Sequence, residues 1–370
     1  MKKGERNIFI MGKVRYRLMD TIKGLACMAV VLLHFGFPDP LGLIIRPLCS
    51  FAVPYFFFVS GFFCTDSSNR LIRSNTWRKI RHILRLVVIA ALVYAVFCVI
   101  WNQMLDPDWN IVEYTASLLT KDKIAKFFLT NDPFVYSHLW FLGALLYCYL
   151  TVLLFDEKKI SSWIMIPAVL LWIGFIAFGE LKYILPIPSS IPLFDTGNRA
   201  YLFNCYLFRA LPFFLFGMLA KLNMEKIKKT FSKIPIVYFY VVIILGIGIA
   251  LWERIHIGVV QFYMGTYMVL GSLCILSVTR PQMRNSLLEF IGQKLSLYVY
   301  IFHIMIGRVI DLAANKIRVP GENGTRILIK TGVYRYGRPF LILAGCFLIT
   351  FVIYSVGEAY KKRKIYKSYK

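Results

Sequence analysis

The stretch KGLACMAVVLLH places a cation, Lys23, and an imidazole, His34, eleven residues apart in an otherwise apolar run. On a helix, eleven steps of ~100° make three turns plus ~20°, so the two side chains share a face and stand ~16 Å apart along the axis. Such a pair in a segment of hydrocarbon length is costly unless function uses it. An imidazole, with an ordinary pKa of about 6.5, can take up and release a proton near neutral pH. A cation at the other end can hold an anionic group. The bland alternative is a snorkelling lysine and a histidine bonded to a neighbouring helix.

Other polar residues interrupt apolar runs in the same way. In SFAVPYFFFVSGFFC, Pro54 predicts a kink, and Ser60 with Gly61 allows a polar contact or a close helix approach. In TWRKIRHILRLVV, Arg78, Arg81, His82 and Arg85 fall within ~100° of arc on one helix face. A positive-inside anchor accounts for Arg78 and Arg81, whereas the deeper Arg85 suits a phosphate-bearing ligand. His138 and Trp140, in SHLWFLGALLYCYL, fit either an interfacial aromatic belt or a substrate contact. Arg209 lies near the middle of its run and requires an acceptor or a hydrated cavity. In IGQKLSLYVYIFHIMIG, Ser296, Tyr300 and His303 share a face that must look into the protein.

The elements that position these residues follow from composition. Of 370 residues 58% are hydrophobic and 17% charged, a balance that excludes an ordinary soluble domain. Ten apolar runs approach the ~20 residues a membrane crossing needs. They cover 19–37, 42–64, 83–102, 138–155, 162–179, 200–220, 234–252, 259–279, 295–312 and 339–358. Backbone polar groups must be satisfied within lipid, so runs of this length predict an all-α bundle rather than a barrel. The expected organisation is a basic N-terminus over 1–18, a ten-helix membrane domain over 19–358 and a basic tail over 359–370. Lys and Arg number 27 in one alternating set of loops and termini and 12 in the other, which puts both termini in the cytoplasm.

The net charge of +25 is then a topology signal and an attraction for anionic headgroups, with no recognition module for nucleic acid beside it. The eight cysteines fall in or beside apolar runs without metal-ligand spacing, so no metal is expected. Two function classes fit: a membrane enzyme, and a glycan or lipid transporter with the same residues lining its path. Against the second, no Walker motif and no internal symmetry between halves is visible.

Four motifs in register narrow the choice. DTIKGLACMAVVLLH, VPYFFFVSGF, HLWFL and IGQKLSLYVYIFH resemble, in this order, the signatures of integral-membrane acyltransferase family 3. The resemblance runs from about Arg17 to His303; it departs at Lys23, where many members have arginine. It implies a ten-helix enzyme that moves an acyl group, usually acetyl, from cytoplasmic acyl-CoA to a hydroxyl on a carbohydrate or glycolipid. On this reading His34 is the general base or an acyl-carrying nucleophile, with Tyr300 and His303 beside it. Lys23, Arg78, Arg81, Arg85 and Arg209 bind the donor, and Ser60, His138 and Trp140 the acceptor. The expected location is the bacterial cytoplasmic membrane.

Overall fold

The computed structural model describes residues 15–65, 73–155, 162–180, 205–321 and 324–368. Helix α1, Arg17–His34, ends at the histidine of the first motif, where the Phe35 N–H donates to the Val31 carbonyl at 2.9 Å. Helices α2, Leu41–Cys49, and α3, Ala52–Phe62, follow. Pro54 does not kink a continuous helix. The chain breaks before Ala52, so Pro54 stands in the first turn of α3, where its missing N–H costs no bond.

Helix α4, Arg73–Leu105, is followed by two short helices, α5, Ile111–Leu118, and α6, Lys121–Thr130, whose first N–H groups are capped by Asn110 and Thr120. Asn131 ends α6 in the left-handed conformation, and its Nδ2 donates to the Trp140 carbonyl at 2.9 Å. That bond fixes the start of α7, Trp140–Val152, and the single 3₁₀ turn before it that carries His138.

Next come α8, Met165–Gly174, α9, Tyr206–Arg209, α10, Leu211–Leu222, and α11, Met224–Phe231. The hairpin of α12, Ile236–His256, and α13, Met264–Thr279, is closed by Glu253, whose buried carboxylate accepts the N–H groups of Met264 and Gly265. Helix α14, Ser286–Phe290, runs through a π-helical turn, Ile291–Leu295, into α15, Ser296–Lys316. A small two-stranded antiparallel hairpin, β1, Arg318–Gly321, and β2, Gly324–Ile327, precedes α16, Gly332–Ser368, in an all-α fold.

Each of the ten expected runs contains helix, but length and apolarity single out fewer as crossings. Five segments qualify: Leu41–Phe62, Ser74–Leu105, Ile236–His256, Ser286–Lys316 and Gly332–Arg363. A sixth counts if Tyr206–Leu222 and Met224–Phe231, bent by 77°, are taken together. Ser137–Val152, Met165–Ala177 and Met264–Thr279 are apolar but shorter. Helix α1 is held back by composition, because Arg17, Asp20 and Lys23 share its first two turns. The chain is a helical membrane protein, and exposed Leu, Ile and Val side chains on α4, α12 and α16 form its lipid-facing surface. Residues 181–204, which include the start of the expected run 200–220, lie outside the described residues.

Paired glycines bring the inner helices close. A Cβ on Gly61 of α3 would fall on the Phe214 carbonyl of α10, and one on Gly217 of α10 would fall on the Phe58 carbonyl of α3. Gly24 of α1 and Gly292 of the π-helical turn meet the backbones of Leu288 and Asp20 in the same reciprocal way. The second crossing sets the helix of His34 directly against the helix of His303.

Candidate active site

The first motif opens onto a cavity of about 250 Å³ between α1, α3, α4, α7 and α15. Lys23, Cys27, Val30 and His34, at steps of four, three and four, supply the α1 wall. Phe56 and Ser60 of α3, Trp140 and Phe141 of α7, and Ser296 and Tyr300 of α15 face them. The walls are largely apolar, with Lys23 on the first turns of α1 and the histidines at its last residue. Lys23 pairs with Asp20 at 3.3 Å on its own helix, so it enters the cavity partly neutralised. Ser60 lines the cavity and donates its hydroxyl to the Phe56 carbonyl at 2.8 Å.

Three imidazoles meet at the His34 end. The His34 ring centroid lies 5.0 Å from that of His303 and 6.5 Å from that of His138, and the last two are 5.4 Å apart. They come from α1, from the turn before α7 and from α15; His34 and His138 line the cavity, and His34 is the exposed one of the three. His303 is fully buried. Its Nδ1 lies 3.0 Å from the Val299 carbonyl and 2.8 Å from the Tyr300 carbonyl. A carbonyl only accepts, so Nδ1 carries the hydrogen and the buried, unpaired Nε2 carries the lone pair.

His138 is 3% exposed and neither ring nitrogen makes a well-aligned hydrogen bond. It faces the Ile301 carbonyl, which already accepts from the Tyr94 hydroxyl at 2.7 Å. The aromatic-belt reading of His138 is thereby corrected. The 3₁₀ turn and the Asn131 bond turn this residue into the bundle. Tyr300 belongs to the same cluster, its ring 5.8 Å from that of His138 and its hydroxyl donating to the His138 carbonyl at 2.8 Å.

Arg209 finds the acceptor that its position demands. Its guanidinium stacks on Trp140, 3.9 Å from the ring centroid. The amide orientation that satisfies both groups turns Gln261 Oε1 toward it, 2.9 Å from Nε, with a second bond from the terminal nitrogen.

Arg78, Arg81 and Arg85 are not brought into this constellation. All three are exposed, none lines the cavity, and Arg78 donates to Asn75 at 3.0 Å. The side of α4 that reaches the cavity carries His82, Ile83 and Leu86 instead. The sequence shows His82 only as a member of the basic face of α4, and it gives no sign of Gln261 or Tyr94, which reach the site through packing between segments far apart in the chain. Among the described residues no group of three or more His, Cys, Asp and Glu side chains is arranged to hold a metal ion.

Four sequence motifs thus converge on one cavity, and their register runs through most of the chain. Residues 16–358 match the sequence model of the acyltransferase domain of acyltransferase family 3. The chain belongs to acyltransferase family 3. No curated protein and no solved structure matches it at a significant level. As a family 3 member the protein is an acyltransferase, and the enzyme reading prevails over the transporter reading. The family's domain includes every residue of the cavity and of the histidine cluster.

Proposed function

We propose that this enzyme moves an acetyl or similarly short acyl group from cytoplasmic acyl-CoA to a hydroxyl of a carbohydrate or glycolipid acceptor, in a ten-helix domain with both termini in the cytoplasm of a bacterium. The observation that carries the reading is the pairing of an accessible His34 with a buried, lone-pair-bearing His303 Nε2 at one end of a cavity whose α1 wall begins at Lys23. The apolar walls suit the uncharged arm of the donor, and Lys23 with His82 suits its phosphates.

A thioester is already activated, so the enzyme must position the acceptor, remove its proton and stabilise the oxyanion. His34 takes the proton as the acceptor oxygen attacks the thioester carbon. The carbon–sulfur bond then breaks, and the leaving thiolate takes the proton that His34 holds. In the covalent variant His34 carries the acyl group between two such steps. His303 holds the proton balance of the cluster, Tyr300 orients it through the His138 backbone, and the Arg209–Trp140 stack with Ser60 positions the acceptor. Arg78, Arg81 and Arg85 attract the anionic donor to this side of the membrane.

Incubation of purified protein with radiolabelled acetyl-CoA tests this reading. Saturable binding and slow hydrolysis are expected. A protein that binds no acyl-CoA, yet equilibrates a labelled glycolipid across vesicles, would contradict it.

A further inference from the structure

His34 is the last residue of α1, so its place depends on what holds a helix end. The Phe35 N–H still reaches the Val31 carbonyl, but an end held by its own last turn frays. Here α15 and α16 supply the hold. The Phe35 ring is buried, and a Cβ on Gly307 of α15 would fall on its outer carbons, so ring and helix are in direct contact. Over the same ring lies the Arg338 guanidinium of α16, 5.1 Å from the centroid. Gly307 follows His303 by four residues and shares its face of α15. Seating Phe35 on Gly307 therefore sets its neighbour His34 beside His303, with 5.0 Å between ring centroids.

Arg338 is itself fixed. Its Nε and one terminal nitrogen donate to the two oxygens of Asp311 on α15 at 2.7 and 2.6 Å, and the buried Tyr334 donates its hydroxyl to Asp311 Oδ1 at 2.8 Å. Arg308, one turn before Asp311, lies instead over the rings of Trp101 and Tyr136, which leaves the carboxylate to Arg338. The same turns of α16 hold the chain beyond Phe35. Phe340 packs on Phe37 at 5.2 Å between centroids, and the Tyr336 hydroxyl donates to the Asp39 carbonyl at 3.4 Å. A half-buried, two-pronged ion pair adds little net stability but fixes geometry.

We propose that Arg338 and Asp311 are positioning residues for the reaction: their ion pair seats Phe35 against Gly307 and so holds His34 in register with His303. Neither residue lines the cavity. This inference rests on the acyl-transfer reading and adds to it the device that aligns the two imidazoles.

Diethyl pyrocarbonate, which modifies accessible imidazole nitrogens, tests it on the full-length protein in detergent, with modified peptides counted by mass and acetyl-CoA turnover measured beside them. In wild type the exposed His256 of α12 should react and the fully buried His303 should not. Arg338→Gln and Gly307→Ala should each raise modification of His303 about ten-fold or more relative to His256, at nearly unchanged melting temperature. Both should lower kcat roughly 10²-fold, as a displacement of about 1 Å at a reacting group does. Acetyl-CoA affinity should stay, because Lys23 stands ~16 Å away along α1. Adding Phe35→Leu to Gly307→Ala removes the ring carbons that the new methyl meets, and should restore about ten-fold of the lost turnover. Should Arg338→Gln fail to fold, Gly307→Ala and its Phe35→Leu partner decide. A His303 that stays unreactive in the variants, exposure of His303 with turnover unchanged, or a melting shift that accounts for both changes would each overturn the proposal. A wild type that turns over no acetyl-CoA would sink the acyl-transfer reading, while the protection of His303 still decides whether the ion pair holds the two imidazoles together.

Discussion

At the scale of single residues, the tautomer of His303 sets the chemistry of the cluster. With Nδ1–H given to two carbonyls, Nε2 is left as an acceptor, and the two imidazoles beside it, His34 and His138, line the cavity. His303→Ala should therefore cost roughly 10²-fold or more in turnover at nearly unchanged melting temperature. Its effect should overlap with that of His34→Ala, since residues acting as a unit lose most of the rate on the first deletion. Additive losses in the double variant, or a melting shift large enough to explain the lost activity, would make His303 structural. Among the cations, Lys23 lines the cavity and Arg85 does not. Lys23→Gln should accordingly raise the KM for acetyl-CoA about ten-fold or more, and Arg85→Gln less, with the difference shrinking at high salt. The reverse order in steady-state kinetics would return the donor site to the α4 arginines.

At the scale of elements, the site depends on helix crossings that only glycine permits. Gly61 and Gly217 let α3 and α10 touch backbone to backbone, whereas nothing lies within 4 Å of a Cβ added at Gly248 on α12. Gly61→Val should lower stability by about 1–3 kcal/mol or more, and Gly248→Ala should raise it by roughly 0.5–1 kcal/mol. Thermal melting in detergent checks both; a tolerated Gly61→Val would mean that the crossing is looser than drawn. The helices themselves were legible in the sequence, because apolar runs of this length have few other solutions in lipid. The Lys23–His34 face and the Ser296, Tyr300 and His303 stripe were legible too, since helical spacing alone puts their members on one side. What spacing cannot carry is the third dimension. His138 is turned inward by a 3₁₀ turn and a bond from Asn131, and the partner of Arg209 is a glutamine 52 residues away. Likewise the basic face of α4 was read correctly as an arc, but which edge of that arc meets the cavity is fixed by packing, and it is the His82 edge.

At the scale of the whole molecule, the surplus of cations in alternate loops predicts both termini on the cytoplasmic side, and with them the Lys23 end of the cavity. Cysteines introduced at Glu225 and Ile365 on a cysteine-free background should resist an impermeant reagent in sealed cells and react after permeabilisation. Labelling of either from outside would reverse the orientation and put the donor on the wrong side of Lys23.

On the proposed reading His34 performs the chemistry while the rest of the cavity holds the donor. The most direct measurement is acetyl transfer or hydrolysis from radiolabelled acetyl-CoA by wild type and His34→Ala, with donor binding measured on the same samples. Loss of ~10²–10⁴ in turnover with donor affinity and melting temperature retained is the predicted result. Near-normal turnover by a folded, donor-binding His34→Ala would contradict it.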